Sequence, residues 1–252
     1  TKKAEKLVEK YHEILNELIN ERNSNIEKQE KTKTEEDLGE NFEWQNIKKL
    51  FLDYVKEQDL ESLSFSKLKA LMMLGLFVLQ PPTRLGNYLN MEVRAKPLKN
   101  IKKDKNYLFF GEDPKFIFQD YKTAKILGKT ELPIKSKVLM NLIMAYLNKH
   151  PQHKTKNHKP HEFLVREDGT PISQSAFTQT LKGVSKKILG TAISVNTLRH
   201  AFLTWFYNQN PSLKEKQHIA NLVGQTYKMS RMEKYKRVDS DDEEKDVYSF
   251  ED

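Results

Sequence analysis

Residues 64–79 (SFSKLKALMMLGLFVL) are apolar on nearly every side of a helix, and Pro81-Pro82 follows at once. A helix that is apolar all round must be wrapped by other elements. Proline lacks an N–H and clashes with the turn before it, so the helix must stop there. The longest unbroken apolar run, 70–79, is far short of the roughly 20 residues that a bilayer core requires. The segment therefore predicts the central helix of a soluble, helix-rich domain, with whatever follows the prolines held against its end.

The rest of the chain supplies the wrapping. Residues 42–54 read as a helix, and 83–93 (TRLGNYLNMEV) read as a short helix running into extended chain. Residues 107–110, 115–119 and 130–134 are aromatic or β-branched runs divided by turn residues, which predicts a small antiparallel sheet. Helical patterns resume at 136–149, 174–189, 197–208 and 211–223, with a short one around Met232. Asn210-Pro211 with Ser212 and Glu215 predicts a helix start with a cap, a proline in the first turn and a capping box. The expected fold class is mainly α with a small antiparallel β-sheet, an α+β arrangement. No internal repeat is present.

Four regions are expected. Residues 1–22 place Leu7, Val8, Tyr11, Ile14, Leu15, Leu18 and Ile19 three and four apart, a single apolar stripe that either docks on the main domain or pairs with another chain. Residues 23–40 are charged and nearly devoid of apolar side chains, as in a linker. Residues 41–238 form the compact body, and 239–252 an acidic tail. The opening TKKAE leads straight into the amphipathic pattern without a signal peptide, so a soluble fragment is expected.

Charge narrows the partners. The net charge of +8 hides a segregation: the tail holds eight acidic residues and one lysine, so residues 1–238 carry +15. A body so basic suits a polyanion, although many lysines can also simply solvate a surface. The absence of cysteine excludes disulfide scaffolds, thiol nucleophiles, iron–sulfur clusters and cysteine zinc sites.

Three basic clusters begin or end apolar elements: Thr83-Arg84-Leu85-Gly86, Tyr121-Lys122-Thr123-Ala124-Lys125 and Asn196-Thr197-Leu198-Arg199-His200. A tyrosine-containing end follows at Gly224-Gln225-Thr226-Tyr227 and Lys234-Tyr235-Lys236-Arg237. Arginine is costly to bury unpaired, and its fork of donors fits phosphate oxygens. Pairing with a carboxylate such as Glu92 or Glu131 is the structural alternative. His150, His153, His158 and His161 share one Pro-containing loop. Imidazoles can hold zinc, but no carboxylate pattern accompanies these, and a basic loop near nucleic acid is the preferred reading, with no metal. Lys182, Lys186 and Lys187 on one helix, and Lys102, Lys103 and Lys105 before the sheet, suit phosphate contacts or a solvated face.

In order and spacing these elements resemble the tyrosine recombinase, or phage integrase, family from about Phe42 to Val238. The resemblance rests on Pro82-Thr83-Arg84-Leu85-Gly86-Asn87-Tyr88-Leu89 after the central helix, and on Lys122-Thr123 followed by Leu132-Pro133-Ile134 in the hairpin. It continues through Asn196-Thr197-Leu198-Arg199-His200-Ala201-Phe202, Leu222-Val223-Gly224-Gln225 and Tyr235. Two positions depart from the pattern: Asn196 stands for the family's first histidine and Gln225 for its later histidine or tryptophan. Both side chains can donate hydrogen bonds, but neither takes up a proton at neutral pH. The interval from Gln225 to Tyr235 is one residue longer than usual, with Tyr227 a nearby competitor.

The resemblance implies a catalytic domain over 41–238 that cleaves and rejoins DNA through a 3′-phosphotyrosine. Its implied catalytic set is Arg84, Lys122, Asn196, Arg199, Gln225 and Tyr235, with the arginines on the phosphate, Tyr235 as nucleophile and Lys122 as general acid. Lys125 and Lys129 are rivals for the acid. They join His200, Lys182 and Lys186 as expected DNA contacts. Implied partners are double-stranded DNA and other copies of the chain assembled on it, without metal, cofactor or membrane, inside the cell in nucleus or cytoplasm. Two alternatives stand beside this: a domain of the same fold that grips DNA without cutting, and a type IB topoisomerase-like enzyme that relaxes supercoils.

Overall fold

The computed structural model describes residues 2–27, 43–95, 102–153 and 160–224. In chain order the elements are α1 (Lys2–Glu27), α2 (Trp44–Lys56), α3 (Phe65–Val78), α4 (Gly86–Leu89), β1 (Met91–Arg94), β2 (Asn106–Phe109), β3 (Lys115–Phe118) and α5 (Ala124–Leu127). They continue through β4 (Thr130–Pro133), α6 (Lys137–Asn148), β5 (His161–Glu162), α7 (Gln174–Leu189), α8 (Val195–Asn208) and α9 (Leu213–Leu222). The expected fold class is found, a helix-rich body with one small sheet. Among the described residues no helix is long and apolar enough to cross a membrane.

Helix α3 is the hub. Ser64 caps it by accepting from the Lys67 N–H, and ten of its residues from Leu68 to Val78 are buried. It is packed by α2, α6, α7 and α8. At Gly75 an added Cβ would come within 3.3–3.4 Å of Leu142, Leu139 and Phe51, so the missing side chain lets α2 and α6 close on α3. The one charged member of the buried face, Lys69, donates from Nζ to the Val165 carbonyl at 3.2 Å and lies 5.2 Å from the centre of the Phe65 ring. Burial lowers its pKa, because removal from water penalises the charged form.

The sheet order is β4-β3-β2-β1-β5. The three strands expected from the sequence form its antiparallel part, β2 with β3 and β3 with β4. The sheet as a whole is mixed: β1 joins β2 in parallel, with Met91 opposite Asn106, and β5 adds an antiparallel edge. Parallel pairing needs a crossover connection, here the charged stretch between 94 and 106, which carries no periodicity to announce it. One face of the sheet meets the main core, where the Tyr88 ring stands edge-on to Phe77, Phe116 and Phe118. Tyr107, Phe109 and Ile117 form a smaller apolar cluster of their own.

Two boundaries differ from expectation. Helix α1 runs on to Glu27, into the stretch read as linker. The N-cap of α9 is Ser212, whose side chain and that of Glu215 complete the capping box, so Pro211 precedes the cap rather than entering the first turn. The helix expected around Met232 and the acidic tail lie outside the described residues.

Candidate active site

The prolines that end α3 leave the chain extended through Thr83, and it turns again at Arg84. The Arg84 carbonyl accepts the Asn87 N–H at 3.0 Å and the Leu85 carbonyl that of Tyr88 at 3.1 Å, which begins α4. Tyr88 is fully buried, and its hydroxyl accepts a hydrogen bond from Gln80 at 3.0 Å. Burial raises its pKa, and hydrogen bonds only partly offset the rise. Tyr88 is therefore an anchor, held neutral, for the turn that carries Arg84.

A second support comes from Asn106, at the start of β2 and fully buried. Its amide donates to the carbonyls of Asn87 and Asp120, each at 2.9 Å. Its side-chain oxygen accepts the N–H groups of Gln119 and Asp120, also at 2.9 Å. All four hydrogen-bonding positions of one asparagine are thus filled. They tie the Arg84 turn to the turn that follows β3.

That second turn carries Lys122 and Thr123. The Thr123 carbonyl accepts from Ile126 and Leu127, both at 3.0 Å, and so starts α5. Lys122 and Lys125 are exposed. Lys129 is engaged, its Nζ 2.6 Å from Glu131, which also meets Lys115 at 2.6 Å. The two lysines hold the Glu131 carboxyl below its usual pKa. Glu92, the other carboxylate considered as an arginine partner, pairs with Arg94.

Arg199 comes from α8. Ser194 caps that helix by accepting from the Thr197 N–H, and Asn196 and Arg199, three apart, share a face. Asn196 is exposed, His200 half-buried and Arg199 only 7 % exposed.

These separate arms meet at the end of α9. Gly224 adopts φ +69°, a left-handed conformation suited to glycine just past a helix. Its N–H returns to the Asn221 carbonyl at 3.1 Å. The Gly224 carbonyl accepts from Arg84 Nε at 3.3 Å and from Thr123 Oγ1 at 3.1 Å. The neighbouring Val223 carbonyl accepts from Arg199 Nη2 at 3.0 Å. Arg84 and Arg199, more than a hundred positions apart, therefore converge on two consecutive carbonyls, with the Lys122-Thr123 turn against the same point. Arg84 reaches Gly224 through Nε, so its two terminal amino groups are not used in that bond.

Of the residues expected from the sequence, Arg84, Arg199 and the Lys122 turn are brought together. Gln225, Tyr227 and Tyr235 lie outside the described residues, which end at the gathering point. Lys182 and Lys186 are exposed on α7, whose buried face packs on α2 and α3, and no described contact ties them to the arginines. Thr123 was named only as the neighbour of Lys122 in the hairpin, and Asn106 and the Val223 and Gly224 carbonyls were not singled out from the sequence. Asn106 before a strand looks like an ordinary turn residue, and a carbonyl has no sequence signature.

The histidines form a different cluster. His153 Nδ1 and His161 Nε2 are 2.8 Å apart, and the His150 and His161 rings are 4.6 Å apart. Burial drives His150 down to about 3, and the nearby imidazoles push in the same direction. His161 is lowered too, chiefly by burial. Among the described residues no group of three potential ligands is placed to hold a metal ion, and His158 lies outside them.

No protein-family profile matches the sequence, and no curated protein matches it either. Among solved structures, the crystal structure of XerA recombinase is similar, with a TM-score of 0.47 and 14% identity over 75% of this chain and 58% of that one. The chain thus spans well under two thirds of that neighbour, and a likeness at this level carries no weight in assigning the site.

Proposed function

We propose that the protein is a DNA strand transferase that cuts and rejoins DNA through a tyrosine, as a site-specific recombinase or integrase does. The observation that supports this reading is the convergence of Arg84, Thr123 and Arg199 on the Val223–Gly224 carbonyls. It puts two guanidinium groups beside the point from which the chain runs toward Tyr235. Two fixed positive groups in one half-buried place are the arrangement that stabilises charge gathering on a phosphodiester under attack.

The proposed step is in-line displacement at phosphorus. The Tyr235 oxygen forms the new bond, and the bond from phosphorus to the 5′ oxygen breaks. That oxygen leaves with a proton from Lys122, and the DNA remains attached through its 3′ phosphate. Attack by a 5′ hydroxyl reverses the sequence and returns the tyrosine. A phenol has an ordinary pKa of about 10, so a positive pocket that favours the phenolate replaces the base that Asn196 and Gln225 cannot be.

A pool of randomised nicked duplexes, in which the cleaved fragment diffuses away, tests the reading. The expected result is a covalent protein–DNA adduct that Tyr235→Phe abolishes. An adduct that survives this change rejects the assignment. Binding that is steep in salt but never gives an adduct favours the grip-only alternative, for which Asn196 and Gln225 speak. Relaxation of supercoiled DNA by single copies favours the topoisomerase-like one.

A further inference from the structure

Lys122, the proton donor of the proposed reaction, sits on a turn with little to root it. Residues 121–128 include no buried side chain, and Ile126 of the four-residue α5 is 72% exposed. The Tyr121 hydroxyl donates to the Gly128 carbonyl at 2.8 Å and meets Thr130 Oγ1 at 3.2 Å, which closes the turn on itself and on β4. Lysine adds a flexible stem of its own. An acid must come within hydrogen-bond reach of the oxygen that it protonates, and a loose turn does not secure that reach.

Thr123, the next residue, supplies the root. It occupies the N-cap position of α5, where a threonine hydroxyl ordinarily accepts an N–H of the first turn. That bond is not made; the Ile126 N–H goes to the Thr123 carbonyl at 3.0 Å. The hydroxyl donates instead to the Gly224 carbonyl at 3.1 Å, 101 positions along the chain. Among the described residues it is the one side-chain hydrogen bond that ties 121–128 to anything outside the hairpin. The acceptor shows what the bond is for. A carbonyl oxygen has two lone pairs, and Arg84 Nε takes the second on Gly224 at 3.3 Å. The turn that carries the acid and the arginine that faces the phosphate are thus referred to a single atom.

We propose, building on the role given to Lys122 in the proposed function, that Thr123 is a positioning residue. Its hydroxyl, held on the Gly224 oxygen beside Arg84, sets the distance from the Lys122 ammonium to the leaving 5′ oxygen. It touches no reacting atom and moves no proton; it acts through Lys122.

The test is single-turnover adduct formation by the full chain on nicked duplexes that wild type selects from the randomised pool. Each duplex is used in two forms, one ordinary and one with sulfur in place of the leaving 5′ oxygen. A thiolate departs without a proton, so the second form does not need the acid. Thr123→Val keeps the shape and removes the donor, and Thr123→Ser keeps the donor. On ordinary DNA Thr123→Val should be slower by about ten- to a hundredfold, the scale of a misplaced group. Thr123→Ser should stay within about threefold of wild type, since its hydroxyl can make the same bond. On the sulfur form Thr123→Val should also come within about threefold of wild type, because the acid is no longer required. Arg84→Ala, which acts on the phosphate, should keep most of its deficit there. Melting is recorded for every variant, with Thr123→Ala in reserve should valine disturb the turn. Thr123→Val as fast as wild type on ordinary DNA overturns the assignment of Thr123, as does Thr123→Ser as slow as Thr123→Val. Equal deficits on the two forms overturn it too, and would mean that the hydroxyl only holds the end of α9. In all three cases wild type still forms its adduct and the proposed function stands. A pool from which wild type selects nothing defeats the proposed function itself, and the role of Thr123 falls with it.

Discussion

Two polar clusters lie on one sheet, toward its opposite edges. Near the β4 edge, the turn after β3 brings Thr123 to the Gly224 carbonyl, where Arg84 and Arg199 also arrive. At the β5 edge, His161 lies against His150 and His153, and His150 stands edge-on to the rings of Phe65 and Tyr146. The first cluster surrounds its cations with carbonyl oxygens, which accept hydrogen bonds and sustain positive charge. The second surrounds its imidazoles with aromatic faces and with one another, and burial keeps His150 neutral down to about pH 3. On the proposed function, a phosphate would find fixed positive charge at the first edge and neutral imidazoles at the second. Backbone carbonyls stand at both, Glu162 accepting at the histidine edge; what separates them is that a guanidinium keeps its charge when buried whereas an imidazole gives it up, which charge arithmetic alone cannot distinguish.

The largest effect that would break this comparison is at the arginines. Arg84→Ala or Arg199→Ala should slow adduct formation by about two to three orders of magnitude, on the scale of other preorganised charge stabilisers. Single-turnover cleavage measures it, with melting recorded alongside. Next is Asn106→Leu, which leaves the Asn87 and Asp120 carbonyls and the Gln119 and Asp120 N–H groups unmet. It should lower stability by about 2–4 kcal/mol, read by urea unfolding. It should also cut activity beyond that loss, because the two turns are no longer joined.

The histidine edge gives a smaller effect, set by pH. The folded pKa of His150 is depressed from 6.5 to about 3, so across that window the unfolded chain binds a proton that the folded protein excludes. Stability is then full above about pH 6.5 and falls as the solution is acidified toward pH 3. His150→Gln should flatten the decline in melting temperature between pH 7.5 and pH 5. An unchanged slope would show that this edge does not titrate as described. Smallest of all is Lys129→Ala: its pair with Glu131 is exposed, and such pairs contribute about 1 kcal/mol or less. Adduct formation should stay within twofold, whereas Lys122→Ala should lose it on ordinary DNA and regain it when the leaving oxygen is replaced by sulfur, which departs without an acid.

Much of this was legible in residue order. The all-apolar α3, the proline stop, the capping box of α9 and the three antiparallel strands follow from periodicity and turn chemistry, where local preference and tertiary need agree. Arg84 and Arg199 stood out because a guanidinium at the edge of an apolar helix needs a partner. That partner could not be read, because it is a pair of carbonyls whose direction depends on the left-handed turn at Gly224. Lys129 and Lys122 look alike in sequence, and the ion pair that Lys129 makes with Glu131, two residues on in β4, separates them. The parallel placement of β1 was invisible for a related reason: the stretch that crosses over to β2 has no periodic pattern, so nothing local announces the neighbour.

The central claim is that Arg84 and Arg199 share one phosphate and act on its charge. Cleavage of a duplex in which a neutral methylphosphonate replaces the scissile phosphate tests that directly, since little charge is left to neutralise. Wild type and the Arg84→Ala and Arg199→Ala variants should then react at rates within a few-fold of one another, the deficits seen on ordinary DNA having largely vanished. Deficits of the same size on both substrates would mean that the two side chains only hold the end of α9 in place, and the account of a phosphate bound between them would be wrong.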